Sequence, residues 1–134
     1  MLFRSRMPRY LTQEWLDEYR SLAAAQPPRE GASAAIQYVI TDGPEGAVSY
    51  FWNVVDGRLV DAQLGVLPDP DFTWTAPYAV QSAIQQGELD ANTAFMRGRA
   101  KVEGDMGRFI RMLPITGSTE FAALLTALSE RTEY

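Results

Sequence analysis

The period of the hydrophobic pattern changes near residue 34. Before that point apolar side chains recur every three or four residues, which predicts a helix with Thr12 as its N-cap and Pro27-Pro28 as its end. From Ala34 onward apolar and polar residues alternate, which is the period of a β-strand. Asp56-Gly57 is the strongest hairpin signal in this region. The pattern predicts three or four antiparallel strands in succession, over 34–41, 47–55, 58–66 and 71–75.

Helical spacing returns after the fourth predicted strand. The apolar residues that follow predict a helix ending at Gly87, and Asp90 is suited to cap a short second helix. In that short helix we expect Ala94, Phe95 and Met96 to point inward.

Residues 97–103 alternate strictly between charged and small or apolar side chains, which predicts a fifth strand. Helical spacing resumes at Met106 and is expected to end at Pro114, and a last helix is predicted from about Ser118. This order of elements favours an α+β fold. We expect a five-stranded, largely antiparallel sheet with helices packed on one face.

The length of 134 residues fits one domain. We expect residues 1–10 to form an N-terminal arm and residues 11–134 a single domain. No apolar run resembles a membrane span or the hydrophobic region of a secretory signal, so the sequence predicts a cytoplasmic location. The formal net charge of -5 argues against sequence-independent binding to nucleic acid, which depends on basic charge.

The chain contains neither histidine nor cysteine. Their absence removes thiolate zinc sites, cysteine nucleophiles and every Ser-His or Cys-His catalytic pair. Neighbouring carboxylates could form an acid-base pair, but solvated or capping roles are the stronger interpretation of sequence proximity alone. We therefore expect no catalytic residue, no metal site and no cofactor. The carboxylate neighbours are Asp17 and Glu18, Asp69 and Asp71, and Glu103 and Asp105.

Positive charge is concentrated in one segment. Residues 97–111 contain five basic and two acidic side chains, a net charge of +3 that leaves -8 for the rest of the chain. An apolar helix face beside this charge would suit docking to an anionic bilayer, with Arg108 and Arg111 as candidates for headgroup or membrane contact. The alternative is an ordinary solvated strand and helix edge.

Aromatic residues are more numerous than one core of this size needs: three tryptophans, six tyrosines and six phenylalanines. Core filling explains most of them, but a surplus of large apolar groups next to methionines also describes a lipid cavity. From periodicity, we expect the lining of such a cavity to comprise Phe72, Trp74, Phe95, Met106, Phe109, Met112, Leu113, Phe121 and Leu125.

Residues 87–107 read GELDANTAFMRGRAKVEGDMG. This stretch resembles the signature of the sterol carrier protein type two family, in which Ala-Phe-Met/Phe-x-Gly-Lys/Arg-x-Lys-Val/Ile-x-Gly-Asp/Asn-Met follows a glycine-led turn. Residues 71–75 resemble the family's short strand before its middle helix, and the hairpin at 56–57 lies where that family has one. The resemblance covers about 36–128, and its specific part is 71–113.

The resemblance implies five strands under a helical layer that encloses an apolar tunnel. It also implies binding of fatty acids, fatty acyl-CoA, phospholipids or sterols without chemistry. Ala100 stands where the family usually has a leucine, and Arg108 and Arg111 make the next helix more basic than is usual in the family. These differences leave the identity of the ligand open.

The main hypothesis is a non-catalytic lipid-binding or lipid-transfer domain. The alternative is an accessory domain that contacts a separately encoded enzyme and has a vestigial cavity. The helix implied to cover the tunnel carries Phe121, Leu124, Leu125 and Leu128.

Overall fold

A computed structural model describes residues 7–134, which form one five-stranded sheet and a layer of helices. The strands are β1 (Ala34–Gly43), β2 (Gly46–Val55), β3 (Arg58–Leu64), β4 (Phe72–Pro77) and β5 (Lys101–Gly104). The helices are α1 (Gln13–Ala23), α2 (Tyr78–Gln85), α3 (Ala91–Met96), α4 (Met106–Thr116) and α5 (Thr119–Glu130).

The sheet has the strand order β3-β2-β1-β4-β5. Three of its strand pairs are antiparallel, as expected, and the hairpin between β2 and β3 turns at Asp56 and Gly57, both with positive φ. The first three predicted strands pair antiparallel in succession, whereas β4 pairs with β1 in parallel and with β5 antiparallel. After β3 the chain crosses the sheet and is held there by Gln37, whose amide donates to the Gly65 carbonyl and accepts from the Leu67 N–H. Alternation alone carries no information about strand direction.

The helices cover one face of the sheet. On that face successive side chains of β1, β2 and β4 are buried, beginning with Ile36, Trp52 and Phe72, which lie side by side. Helices α1, α2 and α4 contact the strands, and α5 packs against those three helices. This arrangement confirms the expected α+β fold with helices on one face of a mostly antiparallel sheet.

Several element boundaries differ from the sequence prediction. Helix α1 ends at Ala23, before the Pro27-Pro28 pair, and the segment predicted as a strand over 97–103 is extended only from Lys101. Pro114 does not end α4 but lies inside it, where burial of Ile115 and neighbouring apolar residues offsets the hydrogen bond that proline cannot make. Met96 was expected to point inward, yet 81% of it is exposed because α3 turns only Ala94 fully into the core.

Helix α1 also covers the outer edge of β3. The Gln13 amide donates to the Ala62 carbonyl at 3.1 Å and accepts from the Leu64 N–H at 3.0 Å. Further along the helix, the Arg20 Nε donates to the Val60 carbonyl at 3.0 Å. Alternate backbone groups of this edge strand are therefore paired with helix side chains.

The two ends of the described chain meet. The Tyr10 N–H donates to the Glu133 carbonyl at 2.8 Å, and the Glu133 N–H donates to the Pro8 carbonyl at 2.9 Å. Tyr10 is buried. Of the segment expected to be an arm, residues 1–6 lie outside the described residues. No helix within 7–134 combines the length and apolar composition that crossing a membrane requires.

Candidate functional site

An apolar cavity of about 50 Å³ lies between the helical layer and the buried face of the sheet. Six of the nine residues expected to line such a cavity do border it. Strand β4 contributes two of these residues, α4 two and α5 two, so the cavity joins elements that are far apart in sequence. The six residues are Phe72, Trp74, Phe109, Met112, Phe121 and Leu125.

The other three expected residues do not border the cavity. Phe95 is half-buried and packs behind the wall, with its ring centroid 4.8 Å from that of Phe109. Leu113 is half-buried against the core, whereas 41% of Met106 is exposed at the start of α4. Helical periodicity placed Met106 and Phe109 on one face, but only the second of them reaches the interior.

Polar side chains of three helices also line the cavity, and the sequence interpretation missed them. Gln81 and Gln85 of α2 are buried, and the Gln81 carbonyl oxygen accepts a 2.9 Å hydrogen bond from Trp74 Nε1. On the facing helices the Thr116 hydroxyl donates to Asn92 Oδ1 at 3.0 Å. A sequence signal for the two glutamines did exist, since they lie four residues apart and share a helix face with Ile84.

Two polar atoms of the cavity wall have no hydrogen-bond partner within residues 7–134. They are Nε1 of Trp52, on the sheet side, and Oε1 of Gln85, on the helix side. Both side chains are more than nine-tenths buried. Unpaired polar atoms at such depth are rare in folded proteins, because each one loses its hydrogen bonds to water without replacement.

Tyr19 borders the cavity, and it packs on Trp15 together with two other buried tyrosines, Tyr10 and Tyr50. Burial raises the pKa of each one above its ordinary value, because the phenolate would be removed from water. At Tyr19 the neighbouring Gln85 amide acts in the opposite direction and lowers the pKa somewhat. These hydroxyls therefore stay protonated at neutral pH.

The two arginines expected to meet a headgroup or membrane have different surroundings. The Arg108 Nη1 donates to the Ser33 carbonyl at 2.9 Å, and its Nε lies 3.7 Å from Asp71 and 3.8 Å from Asp105. Arg108 therefore fastens the start of α4 to the sheet. Arg111 is exposed and borders an open groove together with Arg29.

The carboxylates near this site have structural roles. Asp105 is the N-cap of α4 and accepts from the Arg108 N–H at 3.1 Å, while Asp71 accepts from the Ala35 N–H at 2.7 Å. In the described part of the chain no three acidic side chains come together in the way that a metal ion would need.

Comparisons with known proteins identify the family and the fold of this chain. The family model described as the SCP-2 sterol transfer family matches residues 14–116. A conserved hypothetical protein of Thermus thermophilus, described as a candidate sterol carrier protein, superposes with a TM-score of 0.73 at 18% identity, over 92% of both chains. A sterol carrier protein 2 gives 0.69 at 16% identity, over 88% of this chain and 98% of that one.

A third structure is that of palmitated SCP2L2 from Aedes aegypti. Its TM-score is 0.64 at 17% identity, and the superposition covers 80% of this chain and 95% of that chain. No curated protein sequence matches the chain. At these identities the structural likenesses establish the fold, and the family model establishes the membership. The chain belongs to the SCP-2 sterol transfer family.

Proposed function

We propose that this protein binds a lipid in the cavity between sheet and helices and carries it without chemical change. The observation that carries the proposal is the apolar cavity between sheet and helices, whose wall includes aromatic side chains of β4, α4 and α5. Each methylene group that moves from water into such a site contributes about 0.8 kcal/mol. The cavity residues include no histidine or cysteine, since the sequence has none, and the nearby carboxylates are engaged in capping and pairing.

The cavity must widen to hold a lipid. Its volume of about 50 Å³ is well below the ~150 Å³ that accommodates a single benzene in an engineered apolar cavity. Met112 and Leu125 are flexible side chains of the wall, and α5 packs mainly on other helices. We therefore propose that the ligand enters by displacing side chains of α4 and α5 rather than by filling a space already open.

Extraction of bound lipid tests this function directly. The protein is purified without detergent and examined by native mass spectrometry, and its bound lipids are extracted and identified. We expect adducts of lipid mass and saturable binding of a fluorescent fatty acid. A protein that stays empty and also fails to bind the fluorescent probe would refute the proposal. In that case retention of a stoichiometric protein partner in a pull-down would favour the accessory-domain alternative.

We further propose that one surface touches anionic membranes. Three apolar side chains are exposed there: Met96 at 81%, Ile110 at 58% and Met106 at 41%. Met96 and Ile110 each follow one of Phe95 and Phe109, whose ring centroids lie 4.8 Å apart, so these two exposed side chains lie on adjacent helices, α3 and α4. The exposed basic residues of the segment 97–111 supply positive charge, whereas Arg108 is paired with Asp71 and Asp105, and each basic residue near an anionic surface contributes about 1 kcal/mol.

Sedimentation with vesicles tests the membrane surface. We expect binding to vesicles that contain phosphatidylglycerol, little binding to pure phosphatidylcholine, and loss of binding as salt is raised. The double substitution Met96→Ser and Ile110→Ser should abolish the binding. Val66→Ser is the matched control, because Val66 is 74% exposed in the connection after β3. Equal loss in the control, or no dependence on anionic lipid, would contradict the assignment of this surface.

A further inference from the structure

A second hollow, the terminal cleft, lies at the end of the sheet where the two ends of the described chain meet. It has a volume of about 220 Å³ and is bordered by segments 9–12 and 133–134, by the turn between β1 and β2, and by Tyr78 at the start of α2. No residue within 7–134 borders both this cleft and the cavity between sheet and helices. A cavity of ~150 Å³ holds one benzene, so the terminal cleft has room for a group of that size.

Three tyrosine rings border the terminal cleft. Tyr10 contacts the other two, with its ring centroid 5.6 Å from that of Tyr78 and 5.1 Å from that of Tyr134. The ring planes are inclined by 58° and 49°, so the rings form angled walls rather than a stack. Tyr10 is buried, Tyr78 is half-buried and 45% of Tyr134 is exposed, so the cluster extends from the core to solvent. Because the faces of aromatic rings carry partial negative charge, several rings around one space attract a cation.

The charged groups around the terminal cleft are mostly negative. Glu45 and Glu133 border it. Burial raises the pKa of the Tyr134 hydroxyl, and the carboxylate of Glu88 raises it further, which places a third negative charge nearby. Of the described residues that border the cleft only Arg9 is basic, and its guanidinium is largely exposed and lies 3.7 Å from Glu45. The net negative charge favours a cationic ligand and disfavours a cation that is joined to a phosphate.

The wall favours a methylated cation over a plain ammonium group. An ammonium group carries several N–H donors and is strongly hydrated, so it needs acceptors in order to leave water. Two acceptors of this region are already in use: the Glu133 carbonyl accepts from the Tyr10 N–H at 2.8 Å, and the Arg9 carbonyl accepts from the Thr12 hydroxyl at 2.6 Å. A quaternary ammonium group has no N–H to satisfy, and its methyl groups pack on aromatic rings. We propose that the terminal cleft binds a free quaternary ammonium compound of about the size of choline.

Titration of the whole chain compares choline with analogues that each change one property. The neutral carbon isostere 3,3-dimethyl-1-butanol lacks the charge, ethanolamine lacks the methyl groups, and phosphocholine adds a phosphate. Binding is followed at constant ionic strength by the amide NMR shifts of segments 9–12, 45–48 and 133–134. We expect choline to bind about tenfold more tightly than the isostere and ethanolamine, which corresponds to about 1.4 kcal/mol, and more tightly than phosphocholine.

The opposite outcomes are equally clear. Equal affinity of choline and either the isostere or ethanolamine, or no shift with choline, would overturn the proposal. Tighter binding of phosphocholine would assign the cleft to a lipid headgroup instead of a free cation. Displacement of a bound fluorescent fatty acid by choline would place choline in the lipid cavity and also overturn the proposal. Failure of choline to bind leaves the proposed lipid binding intact, because the two sites share no residue.

Substitutions of Tyr134 locate the site. Tyr134→Leu removes a ring but keeps an apolar side chain, so the affinity for choline should fall about threefold. Tyr134→Phe is the matched control, because it keeps the ring and loses only a hydroxyl that lies 3.0 Å from Ser129 Oγ, and it should bind choline as the parent does. Glu133→Gln should weaken binding and reduce its dependence on salt. Tyr78→Leu repeats the ring removal from the α2 side. Parent affinity in both leucine variants, or equal losses in Tyr134→Leu and Tyr134→Phe, would refute the assignment.

Discussion

Filling the cavity with two methyl groups should stabilise the protein and weaken lipid binding at the same time. Ala91, the first residue of α3, borders the cavity, so Ala91→Val directs new volume into it. A void of about 50 Å³ accounts for roughly 1.2 kcal/mol of lost packing at ~24 cal/mol per Å³. The lower helix propensity of valine cancels ~0.5 kcal/mol of the gain. We therefore expect a net stabilisation of about 0.7 kcal/mol, or a few degrees in Tm.

The effect on binding has the opposite sign. Two methyl groups occupy space that two methylenes of a ligand would otherwise fill, at about 0.8 kcal/mol each. The sum corresponds to roughly a tenfold loss of affinity. Urea unfolding without ligand and displacement of a fluorescent fatty acid measure the two quantities separately.

The matched control is Ala122→Val on the exposed side of α5. It should lose ~0.5 kcal/mol of stability from helix propensity and leave the affinity unchanged. If Ala91→Val retains the parent affinity while gaining stability, the cavity is filled without consequence for the lipid and cannot be its site. If the control loses affinity as well, the effect does not depend on the cavity.

Three further results follow from the geometry. Gln81→Leu should lower the free energy of unfolding by about 1–3 kcal/mol, because it leaves Trp74 Nε1 unpaired. Adding Trp74→Phe should recover most of that loss. Additive losses of the two substitutions in urea unfolding would contradict the hydrogen bond. Gly104→Ala should prevent stable folding, because its Cβ would lie 2.5 Å from a backbone oxygen. Gly98→Ala has open space around the new Cβ and should lower the free energy of unfolding by only about 1–2 kcal/mol. Thermal unfolding compares the two variants. The contribution of the buried tyrosines to the free energy of unfolding should be constant below pH 10 and fall above it by ~1.4 kcal/mol per pH unit for each of them, since the unfolded chain ionises first. In Tyr50→Phe the free energy of unfolding, measured by urea unfolding at a series of pH values, should fall less steeply above pH 10, by ~1.4 kcal/mol per pH unit.

Local signals in the sequence identified much of the fold. Thr12, Asp90 and Ser118 each cap a helix through a side-chain hydrogen bond, as their positions before apolar periodic runs indicate. The Asp56-Gly57 turn joins β2 to β3 for the same kind of reason, because both residues accept positive φ. Signals of this type depend on a few adjacent residues and are therefore readable without tertiary information.

Features that depend on distant contacts could not be read in this way. The direction of β4 is decided by its pairing with β1, more than thirty residues earlier in the chain. Pro114 remains helical because α4 buries Phe109, Met112 and Ile115 in the core, and Met96 is exposed because α3 turns only Ala94 fully inward. The buried glutamines of the cavity wall were missed for a related reason, since polarity normally indicates solvent and the partner of Gln81, Trp74, lies on another element.

The pairing of α1 with the edge strand β3 has a consequence for aggregation of the chain during its synthesis. An edge strand with open backbone groups is a template on which a second copy can add its own strand, and growth of such contacts leads to aggregates. Here Gln13 and Arg20 precede β3 in the chain, so the helix that shields the edge is made before the edge exists. The residues that shield this edge are therefore already synthesised when β3 emerges, and the edge can be paired as soon as α1 docks on it.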